Sequence, residues 1–296
     1  MAHFADVTRR MGLRVALGIA VALPLVGSEP ASALRPRGRE LDVMTFNLRY
    51  ASDREPNSWA DRRPVMRELL RRAAPHVIGT QEGIYQQLRD IAADLGPSYD
   101  WIGTGRRGGS EDEQTAVFYD NRRLAPVAYD HFWLSDTPKV IGSNTWGADH
   151  PRIVTWVRFR DLGDAGQEFY VLNTHLDNAS GYARTRSAAL IAERLHGFDR
   201  RLPVVVTGDF NCLADDPVHA TLLAAGLVDA WDAAAERGPS YATFHGFEPP
   251  ALDDRRIDWI LVTPGVTAQR AAVDLYHVDG QYPSDHLPVR VSLTLS

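Results

Sequence analysis

An acid and an imidazole stand side by side at Asp285-His286, between the turn-forming Pro283-Ser284 and a run, Leu287 to Leu295, that alternates apolar and polar residues. A carboxylate next to an imidazole can hold a divalent cation with one group and contact a phosphate with the other. Three further polar clusters end strand-like segments upstream: Phe46-Asn47, Gln81-Glu82 and Gly208-Asp209-Phe210-Asn211. Carboxylate and amide oxygens dominate this set, which suits Mg²⁺, with Mn²⁺ or Ca²⁺ as alternatives, and does not suit structural zinc. Because Mg²⁺ usually takes one or two carboxylates and keeps its waters, Glu82 and Asp285 are the expected direct pair. His175 ends another strand-like segment and Asp258 starts one, Asp258-Trp259-Ile260-Leu261-Val262. An Asp that faces a catalytic His fixes its tautomer and favours its protonated form. A protonated imidazole beside a metal is a clamp for a phosphoryl oxygen. Arg152 is a candidate contact for the substrate phosphate.

The elements that must position these residues follow from periodicity. Strands are expected at 41–46, 76–80, 99–103, 115–119, 127–134, 153–159, 168–173, 204–207, 257–262, 269–277 and 287–295. Helices are expected at 62–74, 84–95, 184–198 and 217–225, closed by Pro75, Gly96-Pro97 and similar stops. Segment 227–250 reads as mostly loop. Three long loops, 105–114, 135–149 and 241–254, are expected to set specificity. Strands and helices alternate in the first half and strands dominate the second, which predicts an α/β sandwich in one domain, residues 34–296. The basic cluster Arg62, Arg63, Arg67, Arg71 and Arg72 reads as a solvated helix face. Trp59, Trp101 and Trp146 read as core or rim, and His131, His150, His245 and His277 as structural or solvated. Cys212 reads as a small buried residue and not a nucleophile.

Residues 1–33 read as a removable leader. A basic stretch with Arg9, Arg10 and Arg14 precedes an apolar run, Val15 to Val26, that is short for a membrane span. Ala31-Ser32-Ala33 is a cleavage signal, so the expectation is export by the twin-arginine or general secretory route, with no span in the mature chain. The lone Cys212 allows no internal disulfide, so stability must come from the core. The net charge is −6, and removing a leader with three arginines against two carboxylates leaves −7. An acidic body argues against tight non-specific DNA binding, which depends on basic side chains neutralising phosphates.

Six motifs then occur in one order: Thr45-Phe46-Asn47, Gln81-Glu82, Asn173-Thr174-His175, Gly208-Asp209-Phe210-Asn211, Arg256-Ile257-Asp258 and Ser284-Asp285-His286. In these the chain resembles the endonuclease/exonuclease/phosphatase superfamily, the DNase I-like metallophosphoesterases, over nearly all of residues 41–296. The resemblance implies a four-layer α/β sandwich, two packed mixed β-sheets with helices outside, and Mg²⁺-dependent hydrolysis of a phosphoester by in-line attack of water. It implies that Glu82 binds the metal with Asn47 and Asp285 close to it, and that Asp209 orients or deprotonates the water. Asn211 and His175 would hold phosphoryl oxygens, Asn173 would contact substrate, and His286, oriented by Asp258, would stabilise the transition state. Either Asp209 or His286 could be the base. Arg49 stands where abasic-site nucleases of the superfamily carry an acid. Asn57 to Arg63 and Pro151 to Trp156 are similar to an exported bacterial branch, itself similar to 3′-5′ RNA exonucleases. The expected function is that of a monomeric phosphodiesterase, on a non-nucleic diester given the acidic charge. A nuclease and a phosphomonoesterase acting on sugar or inositol phosphates are the alternatives, and a non-catalytic binding module is the contrasting class.

Overall fold

Alternation along the central strands builds the molecule. The computed structural model describes residues 40–295; the expected leader lies outside the described residues. In chain order the elements are β1 (Leu41–Asn47), α1 (Trp59–Ala73), β2 (Val77–Gln81), α2 (Tyr85–Leu95), β3 (Tyr99–Ile102), β4 (Ala116–Asp120), β5 (Leu124–Trp133), β6 (Ile153–Asp161), β7 (Glu168–His175) and α3 (Gly181–Leu195). They continue with β8 (Val204–Asp209), α4 (Pro217–Ala224), β9 (Val228–Asp229), α5 (Ala230–Ala233), β10 (Glu236–Arg237), β11 (Asp258–Val262), β12 (Thr267–Val273) and β13 (Val289–Thr294). A seven-stranded sheet runs β10-β12-β13-β1-β2-β4-β3, and a six-stranded sheet runs β5-β6-β7-β8-β11-β9. Both are mixed: β1 pairs parallel with β2 and β7 parallel with β8, while β13 and β11 flank them antiparallel.

Because successive strand residues point to opposite faces, each central strand serves two cores. Val43, Val77, Val171, Val205 and Ile260 fill the space between the sheets. Met44, Phe46 and Ile78 face outward and meet Met66, Leu69 and Leu70 of α1 and Leu88 and Ile91 of α2. Leu172, Val206 and Trp259 face the other way, against Leu190 and Ile191 of α3 and Val218 and Leu222 of α4. The result is helix, sheet, sheet, helix, the four-layer sandwich expected from sequence.

The caps explain where helices depart from the sequence reading. Helix α1 begins at Trp59, earlier than expected, because the Ser58 hydroxyl accepts from the Asp61 amide and caps the first turn; Pro64 is absorbed inside. Ser180 does the same for α3, moving its start to Gly181. Asp216 caps α4 with Pro217 in its first turn. The basic face of α1 needs a correction: Arg62 is fully buried, and Arg63 reaches Asp90 and Asp94 of α2. Within 227–250, expected as loop, β9, α5 and β10 are short elements.

Candidate active site

At one end of the sandwich the filling between the sheets changes from apolar to polar. On β1 the inward row runs Val43, Thr45, Asn47; on β2 Val77, Gly79, Gln81; on β7 Val171, Asn173, His175; on β8 Val205, Thr207, Asp209. The period of two that puts valines in the core therefore puts Asn47, His175 and Asp209 on the same face at the strand ends. Register completes the set. Asp209 is the parallel partner of His175 and the antiparallel partner of Asp258, so three ionisable residues lie abreast on β7, β8 and β11. His286 joins them from the turn before β13, where Ser284 Oγ donates to the Asn47 carbonyl at 2.7 Å.

Distances define what these groups can do. Asn47 Nδ2 donates to Glu82 Oε1 and to Asp209 Oδ2, both at 2.9 Å, while Asn47 Oδ1 accepts from the Arg49 amide. Asn47 thus holds two carboxylates in place with its N–H groups and turns its oxygen away from them. Glu82 Oε2 accepts from the Tyr50 amide at 3.0 Å. Asp209 Oδ2 lies 3.5 Å from His175 Nε2 and 3.7 Å from His286 Nε2. His286 Nδ1 meets Asp258 Oδ2 at 3.0 Å. Asn211 Nδ2 lies 3.0 Å from His175 Nε2 and donates to the Leu176 carbonyl. Arg49, Glu82 and Asn211 all have left-handed backbone, with φ of 55°, 62° and 51°, a conformation that bulky side chains avoid and that gathers at functional sites.

Burial and charge split the titrating groups. Burial alone would push the His286 imidazolium down, but the carboxylates of Asp258 and Asp209 outweigh it and raise it to about 10. Burial followed by the Asp258 charge raises Asp209 to about 7, against the pull of His286. Burial, then Arg152 and His286, hold His175 well below its ordinary value, so it is neutral. Burial raises Asp285 and opposes the N–H groups of Asn47 and Tyr50 at Glu82, where those donors win and the carboxyl is lowered. Two acid-imidazole neighbours with opposite protonation preferences are the pattern of a site that moves protons.

The donor set fits a hard divalent cation. Ligand atoms of Glu82, His175 and Asp209 lie within 4.8 Å of one another, as do those of Asp209, Asp258 and His286. Crowded, buried carboxylates whose protonation is favoured are the groups a cation relieves. Glu82, Asp209 and Asp258 supply the carboxylate oxygens of these groups, and Asp285 lines the same cavity.

These groups open into a cavity of about 520 Å³. Of the residues expected from sequence, Glu82, Arg152, His175, Asp209, Asn211, Asp285 and His286 line it. Asn47 and Asp258 lie behind them, in contact with Asp209 and His286. Asn173, expected to contact substrate, is instead buried between the sheets, its amide spent on the Thr80 and Ala116 carbonyls, Gln81 and Thr207, and it is not among the residues that line the cavity. Arg152 is buried, 3.4 Å from Asp177 Oδ2 and 3.0 Å from Asn178 Oδ1. His150, expected to be structural or solvated, lines the cavity.

Several lining residues carry no sequence signal. Arg106 and Glu113 pair at 2.9 Å across loop 105–114. Burial, with Arg106 opposing and Glu82 assisting, raises Glu113 to about 7, and its Oε2 is 4.0 Å from His175 Nδ1. Arg49 Nε lies 3.6 Å from Asp285. Phe244, from loop 241–254, is half exposed at the mouth with its ring 5.1 Å from that of His286. No lining residue comes from 135–149. Trp146 is in the core, Trp59 and Trp101 pack beside the helices, and Cys212 is buried with its thiol pushed up to about 12. A second cavity of about 410 Å³, lined by Phe198, Arg201 and Pro203, sits at the other end of β8 and contains none of the acid-imidazole neighbours.

Residues 44–286 match the sequence model of the Endonuclease/Exonuclease/phosphatase family. A Bacteroides thetaiotaomicron protein of that family is 34% identical, with a TM-score of 0.81 over 88% of this chain and 99% of that one. A mannosyl-6-phosphatase of the same bacterium is 35% identical, with a TM-score of 0.80 over 86% of this chain and 99% of that one. Protein angel of Drosophila melanogaster is 25% identical over 185 residues, 58% of this chain and 49% of that protein, so the chain spans about half the length of this curated relative.

Proposed function

The chain belongs to the endonuclease/exonuclease/phosphatase family, whose members are metal-dependent phosphoester hydrolases, and from that premise we propose that it removes phosphate from a small phosphomonoester of the sugar-phosphate class. The observation that carries this reading is the cavity, about 520 Å³ with Arg49, Arg106 and Arg152 among its walls. That volume is in the range of small-ligand sites. Three guanidiniums around a floor of carboxylates suit a phosphoryl group that carries two negative charges. The 35% identity to a mannosyl-6-phosphatase supports the same substrate class. This reading puts a monoester ahead of the diester that net charge alone favours.

When bound, a divalent cation, Mg²⁺ in this reading, supplies Lewis-acid charge to the phosphoryl oxygens; Glu82 and Asp285 would hold it. Asp209, fixed by Asn47 and raised to about 7 by burial and Asp258, holds the attacking water and takes its proton at neutral pH; as the new P–O bond forms the ester P–O bond breaks, and the sugar oxygen leaves as an alcohol after taking a proton from solvent water. His286 keeps its proton because Asp258 and Asp209 outweigh its burial, and it donates to a phosphoryl oxygen as charge builds there. Arg152 orients the other oxygens. Neutral His175, beside Asn211 and facing Glu113, fixes the Asn211 amide. The enzyme acts outside the cytoplasm, with its leader cut after Ala33; the Ala31-Ser32-Ala33 signal supports that part.

The test is a substrate panel with Mg²⁺: hexose 6-phosphates, an aryl phosphodiester, RNA and plasmid. Phosphate release from a hexose phosphate with kcat/KM at least roughly 100-fold above the diester is expected. Faster cleavage of the diester or RNA would overturn the monoester assignment.

A further inference from the structure

Arg62 is a buried charge whose partners are backbone carbonyls. Its Nε–H donates to Asn57 O at 3.0 Å, Nη1 to Leu48 O at 2.8 Å and Pro283 O at 3.0 Å, and Nη2 to Arg49 O and Tyr50 O, both at 3.2 Å. A guanidinium has five N–H groups, and here each has an acceptor. That full satisfaction is what makes a buried cation tolerable. The guanidinium also lies 5.3 Å from the Trp59 ring, and Gln87 on α2 adds a further donor to Arg49 O at 3.1 Å.

The five carbonyls belong to two loops. Leu48 to Asn57 follows β1, and its Tyr50 amide donates to Glu82. Pro283 stands two residues before Asp285 in the loop before β13. The loop that restrains one candidate cation ligand and the loop that carries the other therefore share a single guanidinium as their core. Each loop holds a non-glycine residue with left-handed backbone, Arg49 in the first and Asp279 in the second, so local propensity does not set their separation.

We propose that Arg62 is a positioning residue for the cation site: its guanidinium fixes the spacing between Glu82 and Asp285 by binding both loops at once. The inference rests on the reading of Glu82 and Asp285 as cation ligands. Lysine at this position keeps the charge but offers three donors from one point, so it cannot meet five carbonyls spread around a plane. A residue that merely stabilised the fold would lower stability and leave cation affinity alone. Arg290 supplies that control. It is also buried, and it bonds Asp42 Oδ2 at 2.7 Å and Ala73 O at 3.2 Å, toward the other end of β1.

The experiment measures Mn²⁺ binding to the metal-free full chain by calorimetry, with kcat and KM on the preferred phosphate ester. Arg62→Lys is expected to weaken Mn²⁺ binding at least about tenfold, as loss of a supporting contact behind a metal ligand does, and to lower kcat with little change in KM. Added guanidinium ion is expected to restore part of the Mn²⁺ affinity of Arg62→Ala. Arg290→Lys is expected to lose stability and keep its Mn²⁺ affinity. A folded Arg62→Lys with unchanged Mn²⁺ affinity, or an Arg290→Lys that weakens Mn²⁺ as much, overturns the inference. If Arg62→Lys does not fold, the wild-type protein decides: coupling is reciprocal, so Mg²⁺ must slow hydrogen exchange at the Arg62 Nε–H, and unchanged exchange counts against it. Wild-type protein that binds no Mn²⁺ overturns the underlying cation reading instead.

Discussion

Asp209 holds its charge in the least favourable surroundings of the site. It is buried against Asp258, and its carboxyl is raised from 3.8 to about 7. A raised folded value means that proton binding favours the native state below 3.8, and that this benefit is lost as pH climbs through 7. Replacing the carboxylate with an isosteric amide removes the repulsion and keeps one acceptor oxygen, for Asn47 or for the Asn211 amide, where the carboxylate serves both; the lost acceptor offsets part of the gain. Metal-free Asp209→Asn is therefore expected to be more stable than wild type by about 1 kcal/mol at pH 8, with the gap shrinking toward pH 4. Urea unfolding at both pH values checks this, and a variant weaker than wild type at pH 8 would contradict it. His286 gives a second pH signature. Its folded value rises from 6.5 to about 10, so its ion pairs stabilise the native state fully below pH 6.5 and stop doing so as pH passes 10. In the metal-free protein, the stability lost on His286→Gln should be largest at pH 6 and shrink by pH 10. A loss independent of pH would show that the imidazole is neutral in the folded chain.

At the scale of elements, the strands do the positioning. Gly79 on β2 faces Thr207 on β8, and a Cβ there would fall 2.0 Å from Thr207 Oγ1 and 2.7 Å from Asn173 Oδ1. Gly79→Ala must push the sheets apart where the core gives way to the polar site, and overpacking of this kind costs about 1–3 kcal/mol. Thermal unfolding, with kcat measured alongside, should show both falling; an unchanged melting temperature would mean that the sheets are not in contact at Gly79. The strands and helices were legible because apolar periodicity and stop residues are local signals. Asp209, His175 and Asn47 were legible for the same reason, since each ends a strand whose inward row can be counted. Glu113, Arg106 and Phe244 were not, because they reach the cavity from loops whose path depends on contacts with distant segments. Arg62 was misread because five arginines on one helix look alike in sequence. Only the folded loops show that one of them turns inward. Asn173 was misplaced because its motif neighbour His175, two residues on and on the same face, reaches the cavity while Asn173 stops one layer deeper.

In the whole molecule, a sandwich packed around apolar layers ends in a charge-crowded site. No described helix is long and apolar enough to cross a membrane. A cation that binds the folded chain alone must stabilise it, by about 2.7 kcal/mol at 100 times its Kd. Mg²⁺ or Mn²⁺ should therefore raise the melting temperature of wild-type protein, and the rise should be largely lost in Asp285→Asn. An equal rise in that variant would place the cation elsewhere. The central claim is that the Asp209 end of the sandwich hydrolyses phosphoesters, and one measurement tests it most directly: Mg²⁺-dependent phosphate release from a hexose 6-phosphate by wild type and by Asp209→Asn. The expected result is turnover that a chelator abolishes and a variant that is folded, at least as stable, and about 10³-fold slower, the scale of losing a general base. Turnover in Asp209→Asn within threefold of wild type would contradict it.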